Sequence, residues 1–110
     1  MIRVELRLAD GCVESLEMEG HAANEGSVSV VCAAVTGIVR ATVDALLERE
    51  RMSDLRVTAD APARGRLRIS VADRVADRHW LHGVTDVLVA GLFRIEQEAP
   101  AELTVRVERN

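Results

Sequence analysis

The sequence predicts an α+β fold in a single domain, with a mainly antiparallel sheet covered by two helices in the order β-β-α-β-β-α-β. Two pairs of segments alternate apolar and polar residues and are joined by turn sequences, which is typical of β-hairpins. Two longer segments repeat apolar residues at helical spacing. A chain of 110 residues that is 48% hydrophobic can build one core but not two, so residues 1–110 are predicted to form one domain.

The chain opens with a half-buried strand, because apolar residues occupy every second position and polar residues lie between most of them. These apolar residues are Ile2, Val4, Leu6 and Leu8. The turn sequence Ala9-Asp10-Gly11 follows, and a second strand runs through Leu16 and Met18 to Gly20. We expect the two strands to pair as an antiparallel hairpin. The small and polar residues from Ala22 to Ser27 are predicted to form a loop.

A central buried helix is predicted from about Ser29 to Glu50. Its inner stripe is expected to contain Val31, Val35, Ile38, Val39, Thr42 and Leu46. The charged run Glu48-Arg49-Glu50-Arg51 at its end is predicted to be solvated. Because Arg40 and Asp44 interrupt its apolar sequence, the helix is not expected to span a membrane.

A second hairpin and a second helix follow, and one strand closes the chain. The hairpin strands run through Leu55 and Val57 and then through Leu67, Ile69 and Val71, connected by residues 60–65. The helix is predicted from about Val75 to Glu98, with Trp80, Val84, Leu88, Leu92 and Ile95 on its inner side. Pro100 ends this segment, and Leu103, Val105 and Val107 mark the last strand.

The charge balance and aromatic content bear on the partners of the protein. The net charge is -4 and aromatic residues make up 2% of the chain, so neither a grip on phosphates nor a base-stacking platform is expected. We therefore predict no direct nucleic acid binding, whereas a basic peptide partner would suit the acidic chain. Met1 leads directly into a strand pattern without a signal peptide, which predicts a cytoplasmic protein.

The two cysteines, Cys12 and Cys32, lack CxxC spacing, which excludes a zinc ribbon and a thioredoxin motif. Two thiols in a reducing compartment are the simpler interpretation. His79 and His82 have an i, i+3 spacing that could ligate a metal. No further ligand set accompanies them, so we predict neither a metal site nor a cofactor.

Cys32 opens the most apolar helix of the chain and follows a loop that begins at His21. A thiol at a helix N-terminus feels the positive end of the helix dipole, which favours the nucleophilic thiolate. A histidine can serve such a thiolate as general base and acid. These residues point to a Cys32-His21 dyad, and Asn24 and Glu25 in the loop are plausible substrate contacts.

The Gly20-His21-Ala22 element, the polar loop, the run Val31-Cys32-Ala33-Ala34-Val35-Thr36 and the element order resemble the ribosomal-processing cysteine protease family, Prp. The resemblance covers the whole chain. It implies that Cys32 is the nucleophile and His21 the base, and that the protein forms homodimers. It also implies that the substrate is the basic N-terminal extension of large ribosomal subunit protein twenty-seven, with an aromatic residue before the cut.

Three further positions are expected to support the site. The family pattern often has Asp three positions before the cysteine, whereas this chain has Ser29, whose hydroxyl can cap the helix. Thr36 replaces the usual Ser four positions after the cysteine and keeps the hydroxyl. The backbone amides of Cys32 and Ala33 are the natural donors to an oxyanion.

Two other functions stay open at this stage. One is a catalytically idle, ribosome-associated binding module of the same fold, which the replacement of Asp by Ser29 favours. The other is a thiol redox protein in which Cys32 is the peroxidatic sulfur and Cys12 resolves it.

Overall fold

The computed structural model of the chain describes residues 1–20 and 30–110. Its elements, in chain order, are β1 (Ile2–Ala9), β2 (Cys12–Gly20), α1 (Val30–Glu50), β3 (Arg56–Asp60), β4 (Arg66–Ala72), a 3₁₀ turn (Val75–Asp77), α2 (Arg78–Glu98) and β5 (Leu103–Arg109). The predicted α+β fold and the order β-β-α-β-β-α-β are confirmed.

The five strands form one sheet in the order β3-β4-β2-β1-β5. The β1–β2, β2–β4 and β3–β4 pairs are antiparallel, whereas β5 pairs with β1 in parallel. The sheet is therefore mixed but mainly antiparallel, as predicted. Helix α2 returns the chain to the side of β1 that β2 does not occupy, and β5 pairs there in parallel. Helices commonly connect parallel strands in this way.

The two helices cover one face of the sheet, and the other face is charged. On the covered face, alternate residues of β1 are buried, among them Val4 and Leu6. On the open face, carboxylates and guanidinium groups of neighbouring strands form exposed ion pairs such as Arg68–Glu17 at 3.1 Å. Exposed pairs of this kind contribute little to stability. The hydrophobic core thus lies between the sheet and the helices.

Helix α1 follows its predicted stripe closely. Val35, Val39, Thr42 and Leu46 are buried, and Val31 and Ile38 are half-buried against the same core. An 18-residue window of α1 has a mean hydropathy of 1.8 and only 22% of it is buried, so by length and composition the helix could cross a membrane. A core helix of a soluble protein can have the same length and composition.

The start and the buried face of helix α2 differ from the prediction. It begins at Arg78, three residues later than predicted, because residues 75–77 form the 3₁₀ turn. Its buried residues are Leu81, Thr85, Leu88, Val89 and Leu92, whereas Trp80, Val84 and Ile95 are only half-buried. The predicted stripe advances mostly in steps of four residues, whereas a helix has 3.6 residues per turn. The predicted stripe therefore drifts away from the face of α2 that is buried.

The end of α1 is less solvated than the charged sequence suggests. Arg49 donates from Nε to Oδ1 of the buried Asp77 at 2.8 Å, and its guanidinium lies 5.2 Å from the ring centroid of Trp80. Glu50 accepts a hydrogen bond from the backbone of Val57 at 2.6 Å. Arg49 and Glu50 of this charged sequence therefore support the fold, whereas Arg51 and Glu48 form an exposed ion pair, as expected.

Candidate active site

Cys32 is the third residue of α1 and is half-buried. Its side chain lines an open surface groove of about 620 Å³ between α1, the end of β2 and the β3–β4 turn. The first-turn amides of a helix have no partner within the helix, and the dipole adds positive potential there. The fold therefore combines a thiol, the first turn of a helix and a groove, as a thiol nucleophile requires.

Gly20, the last residue of β2, lies at the rim of this groove. Its φ of +102° lies in the region that favours glycine, and a Cβ at this position would overlap the carbonyl oxygen of Met1. Its amide donates to the carbonyl of Gly65 in the β3–β4 turn at 2.9 Å. Glycine at position 20 therefore allows β1, β2 and the turn to meet beside Cys32.

The side of α1 that faces the groove repeats every four residues. Cys32, Thr36, Arg40 and Asp44 all line it. Thr36 is half-buried one turn after the cysteine, whereas Ala33 is exposed on the outer side. Thr36 thus lines the same groove as Cys32, and its supporting role stays a prediction.

Four predicted site residues lie outside the described residues: His21, Asn24, Glu25 and Ser29. Of the predicted site, the structure places Cys32, Ala33 and Thr36.

Cys12 occupies a different environment from Cys32. It is buried, with 4% of its surface exposed, and its Sγ donates to the carbonyl oxygen of Arg78 at 3.2 Å. Burial raises the pKa of the Cys12 thiol, because a low-dielectric environment disfavours the thiolate. Cys12 is therefore a structural thiol.

The arrangement of the two cysteines contradicts the intramolecular redox alternative. Cys12 begins β2 and Gly20 ends it, and Gly20 shares the groove with Cys32. Eight steps along a strand span about 26 Å, whereas a disulfide needs Cα atoms within about 7 Å. Cys12 cannot resolve an oxidised Cys32 of the same chain.

His79 and His82 lie at the Cys12 end of the molecule. Both line a second cavity of about 910 Å³, together with Cys12. The His82 ring packs against Gly11, and its Nδ1 lies 3.2 Å from Oδ2 of Asp86. Within residues 1–20 and 30–110, no three His, Cys, Asp or Glu side chains are grouped as metal ligands.

The sequence reasoning missed Arg40 and Arg64 as groove residues. Both line the groove that contains Cys32, but Arg64 is 32 positions away along the chain. Only the pairing of β2 with β4 brings its turn next to α1. The four-residue spacing from Cys32 was the one signal that could have identified Arg40.

Comparison with known proteins identifies the family of this chain. The sequence profile of the family described as "Cysteine protease Prp" matches residues 1–104. No curated protein sequence matches significantly.

Solved structures with the same fold include SMU.848 from Streptococcus mutans, with a TM-score of 0.80, 23% identity, and coverage of 100% of this chain and 96% of that one. The ribosomal processing protease Prp from S. aureus, in complex with a covalently linked product peptide, has a TM-score of 0.81 and 22% identity over 98% of this chain and 100% of that one. The same S. aureus protease in complex with a substrate peptide has a TM-score of 0.76 and 20% identity, with the same coverage. These likenesses establish the fold, and the family match establishes that this chain belongs to the Prp family of cysteine proteases.

Proposed function

We propose that this cysteine protease uses Cys32 as its nucleophile and His21 as its base to remove the N-terminal extension of large ribosomal subunit protein twenty-seven. The observation that carries the proposal is the position of Cys32 in the first turn of α1, facing an open groove. The S. aureus structures support a peptide substrate and a ribosomal role, since they contain a substrate peptide and a covalently linked product peptide.

The histidines of the chain support His21 as the base. The chain has three histidines, and two of them, His79 and His82, line the cavity at the far end of β2. His21 follows Gly20 in the sequence, and Gly20 lines the groove of Cys32.

The reaction follows from these residue types. The Cys32 thiolate attacks the scissile carbonyl carbon, and a C–S bond forms as the carbonyl oxygen becomes an oxyanion. In this proposal, first-turn amides, including those of Cys32 and Ala33, stabilise that oxyanion. When the C–N bond breaks, imidazolium His21 protonates the leaving amine. His21 then takes a proton from water, which hydrolyses the thioester and restores the thiolate.

Thr36 and Ser29 are proposed as supporting residues. Thr36 lines the groove one helical turn from Cys32, so its hydroxyl can contact the substrate or the catalytic groups. Ser29 immediately precedes α1 in the sequence, and a serine at that position can cap the first turn of a helix.

A cleavage assay with two matched cysteine variants tests the proposal. On a peptide covering the N-terminal extension of protein twenty-seven, Cys32→Ala should lose more than about a thousandfold in kcat/KM, because no other thiol lies in the groove. Cys12→Ala removes the other thiol and should keep activity within a few-fold. Unchanged turnover in a folded Cys32→Ala variant would reject the nucleophile. No cleavage by the wild-type protein would favour the idle binding module.

The homodimeric state and the cytoplasmic location stay predictions. The outer side of α1 supports a dimer, since Val30 is 84% exposed and Ala34, Gly37 and Ala41 are exposed beside it. A second copy of the chain is the proposed cover for this face.

A further inference from the structure

Strand β3 forms one edge of the sheet, and part of that edge is open. The amide of Val57 donates to the Glu50 carboxylate at 2.6 Å, so it points away from the neighbouring strand β4. In an antiparallel pair, the backbone polar groups of successive residues point alternately toward and away from the partner strand. The amide and carbonyl of Ala59 therefore point outward as well. The edge of β3 is occupied at Val57 and offers a donor and an acceptor at Ala59.

The opposite edge of the sheet, β5, is occupied at the end nearest the groove. The amide of Leu103 donates to the carbonyl of Ala99 at 3.2 Å, and the amide of Val105 donates to the Glu96 carboxylate at 2.6 Å. Leu103 pairs with Ile2, which lines the groove of Cys32. The two edges therefore differ beside the groove, and β3 is the edge that an added strand can use.

Ala59 lies two residues before the groove. Within residues 1–20 and 30–110, no hydrogen bond joins its outward amide or carbonyl to another group, and residues 58–61 are exposed. Ala61 lines the groove that contains Cys32. Two residues of an extended chain span about 7 Å, so a peptide that pairs at Ala59 can continue directly into the groove.

We propose that the substrate peptide pairs with β3 at Ala59 as a sixth strand and enters the groove at Ala61. Addition of an extended peptide to a sheet edge is a general mode of recognition, in which main-chain hydrogen bonds supply affinity. These bonds do not depend on side-chain charge, so the mode suits a basic peptide. The Glu50 carboxylate at Val57 ends the pairing surface. The inference rests on the proposed function, because Cys32 marks the site of cleavage.

Amide hydrogen exchange followed by NMR tests the inference on the Cys32→Ala variant, which lacks the proposed nucleophile. The probe is a peptide spanning the protein twenty-seven cleavage junction. At saturating peptide, exchange of the Ala59 amide should slow about tenfold or more. Val107 is the matched control and should exchange at an unchanged rate, because it lies in the same row of the sheet as Ala59 but on the opposite edge.

Three results of this measurement would overturn the inference. One is an Ala59 amide that exchanges equally fast with and without the peptide, or no faster than a Val107 amide that the peptide protects equally. Another is an Ala59 amide that is already protected in the free protein at every concentration, because another part of the chain then occupies the edge. The third is protection that rises with protein concentration without peptide, which assigns the edge to a second copy of the chain.

Removal of single main-chain donors gives an independent test. N-methylation of one peptide amide at a time removes an N–H group without changing the charge. At the position that bonds to the carbonyl of Ala59, methylation should weaken binding to Cys32→Ala about tenfold, as measured by fluorescence anisotropy of a labelled peptide. Equal Kd values for all the methylated peptides would contradict the proposed pairing.

Proline variants test the same bonds from the side of the protein. In the Cys32→Ala background, Ala59→Pro removes the outward amide of β3, and edge strands tolerate proline where the N–H faces solvent. The variant should bind the peptide about tenfold more weakly. Val107→Pro changes the opposite edge in the same way and should keep the Kd within about twofold. A folded Ala59→Pro variant that binds as tightly as Val107→Pro would overturn the inference.

The proposed function fails separately from this inference. Protection of Ala59 by the peptide, without cleavage by the wild-type protein, would reject the protease proposal and keep the edge assignment. Cleavage without protection of Ala59 would do the reverse.

Discussion

At the scale of single residues, environment separates the two cysteines of this chain. Cys32 lies in a first helical turn and faces a groove, whereas Cys12 is buried and donates its thiol proton to a backbone carbonyl. The sequence predicted the position of Cys32 near a helix start because such a start is a local pattern, and its role as the nucleophile stays a prediction. The burial of Cys12 could not be predicted from its sequence neighbours, because the carbonyl that its thiol contacts lies 66 positions away.

The first prediction at this scale concerns Gly20, which borders the groove. Gly20→Ala should destabilise the protein by about 2 kcal/mol or more, because the φ of +102° is strained for alanine and the Cβ meets the Met1 carbonyl. We expect kcat/KM to fall as well, since Gly20 borders the groove of Cys32. Urea denaturation and the cleavage assay measure the two effects.

Gly83→Ala is the control for this variant. A Cβ at Gly83 meets nothing within 4 Å, and alanine replaces glycine within a helix, so stability should rise by about 1 kcal/mol. If Gly20→Ala were as stable and active as the wild-type protein, Gly20 would not shape the site.

At the scale of elements, two contacts between helices and their neighbours were not predictable from periodicity. Thr85 is buried in α2 because its Oγ1 accepts a hydrogen bond from the backbone amide of Val13 at 2.9 Å. Asp77 is buried because it pairs with Arg49 at the far end of α1. An apolar stripe cannot predict polar residues that are buried through a specific partner.

Thr85→Val should destabilise the protein by about 1–3 kcal/mol. Valine has nearly the same shape as threonine, but it leaves the buried Val13 amide without its acceptor. Chemical denaturation gives the free energy of unfolding. Thr58→Val, on an exposed position of β3, is the control and should stay within about 0.5 kcal/mol. A similar small change for Thr85→Val would show that the hydrogen bond contributes nothing.

The Arg49–Asp77 link should make stability depend on pH. Hydrogen bonds from Ser53 and Arg49, and the charge of Arg49, lower the pKa of Asp77 below its usual value of 3.8. A carboxyl with a lowered pKa stabilises the fold above its unfolded-state pKa, and this contribution is lost as the pH falls through the folded-state pKa. Asp77→Asn should therefore be less stable than the wild-type protein at pH 7, and the difference should shrink below about pH 4.

Urea denaturation of both proteins between pH 7 and pH 3 measures that difference. Asp54→Asn, at an exposed position, serves as the matched variant and should follow the wild-type curve. A gap between Asp77→Asn and the wild-type protein that stays constant across this range would contradict the role given to the Asp77 carboxylate.

At the scale of the whole molecule, the element order was predictable but the strand order was only partly so. Hairpins are local, so the β1–β2 and β3–β4 pairs follow from turn sequences. The β2–β4 and β1–β5 pairs join distant segments, and no local pattern specifies them. The lining of the groove depends on the β2–β4 pair, which explains why Arg64 escaped prediction.

The exposed outer side of α1 carries the molecular prediction. We expect the protein to form a homodimer with twice the 12.0 kDa chain mass, because burial of this apolar face is favourable. Ala41→Arg should shift the protein to monomer in light scattering, whereas Val87→Arg on exposed α2 should not. A monomeric wild-type protein, or a dimer that survives Ala41→Arg and dissociates with Val87→Arg, would contradict the proposed interface.

The most direct test of the catalytic mechanism is to find the acyl group of the substrate on the sulfur of Cys32. The protein is mixed with the protein twenty-seven peptide, quenched in acid within the first turnover, and measured by intact mass spectrometry with fragment mapping. The mechanism predicts a mass increase equal to the acyl part of the substrate, located on Cys32 and absent in Cys32→Ala. Peptide cleavage that proceeds with the adduct on another residue, or in a folded Cys32→Ala variant, would contradict it.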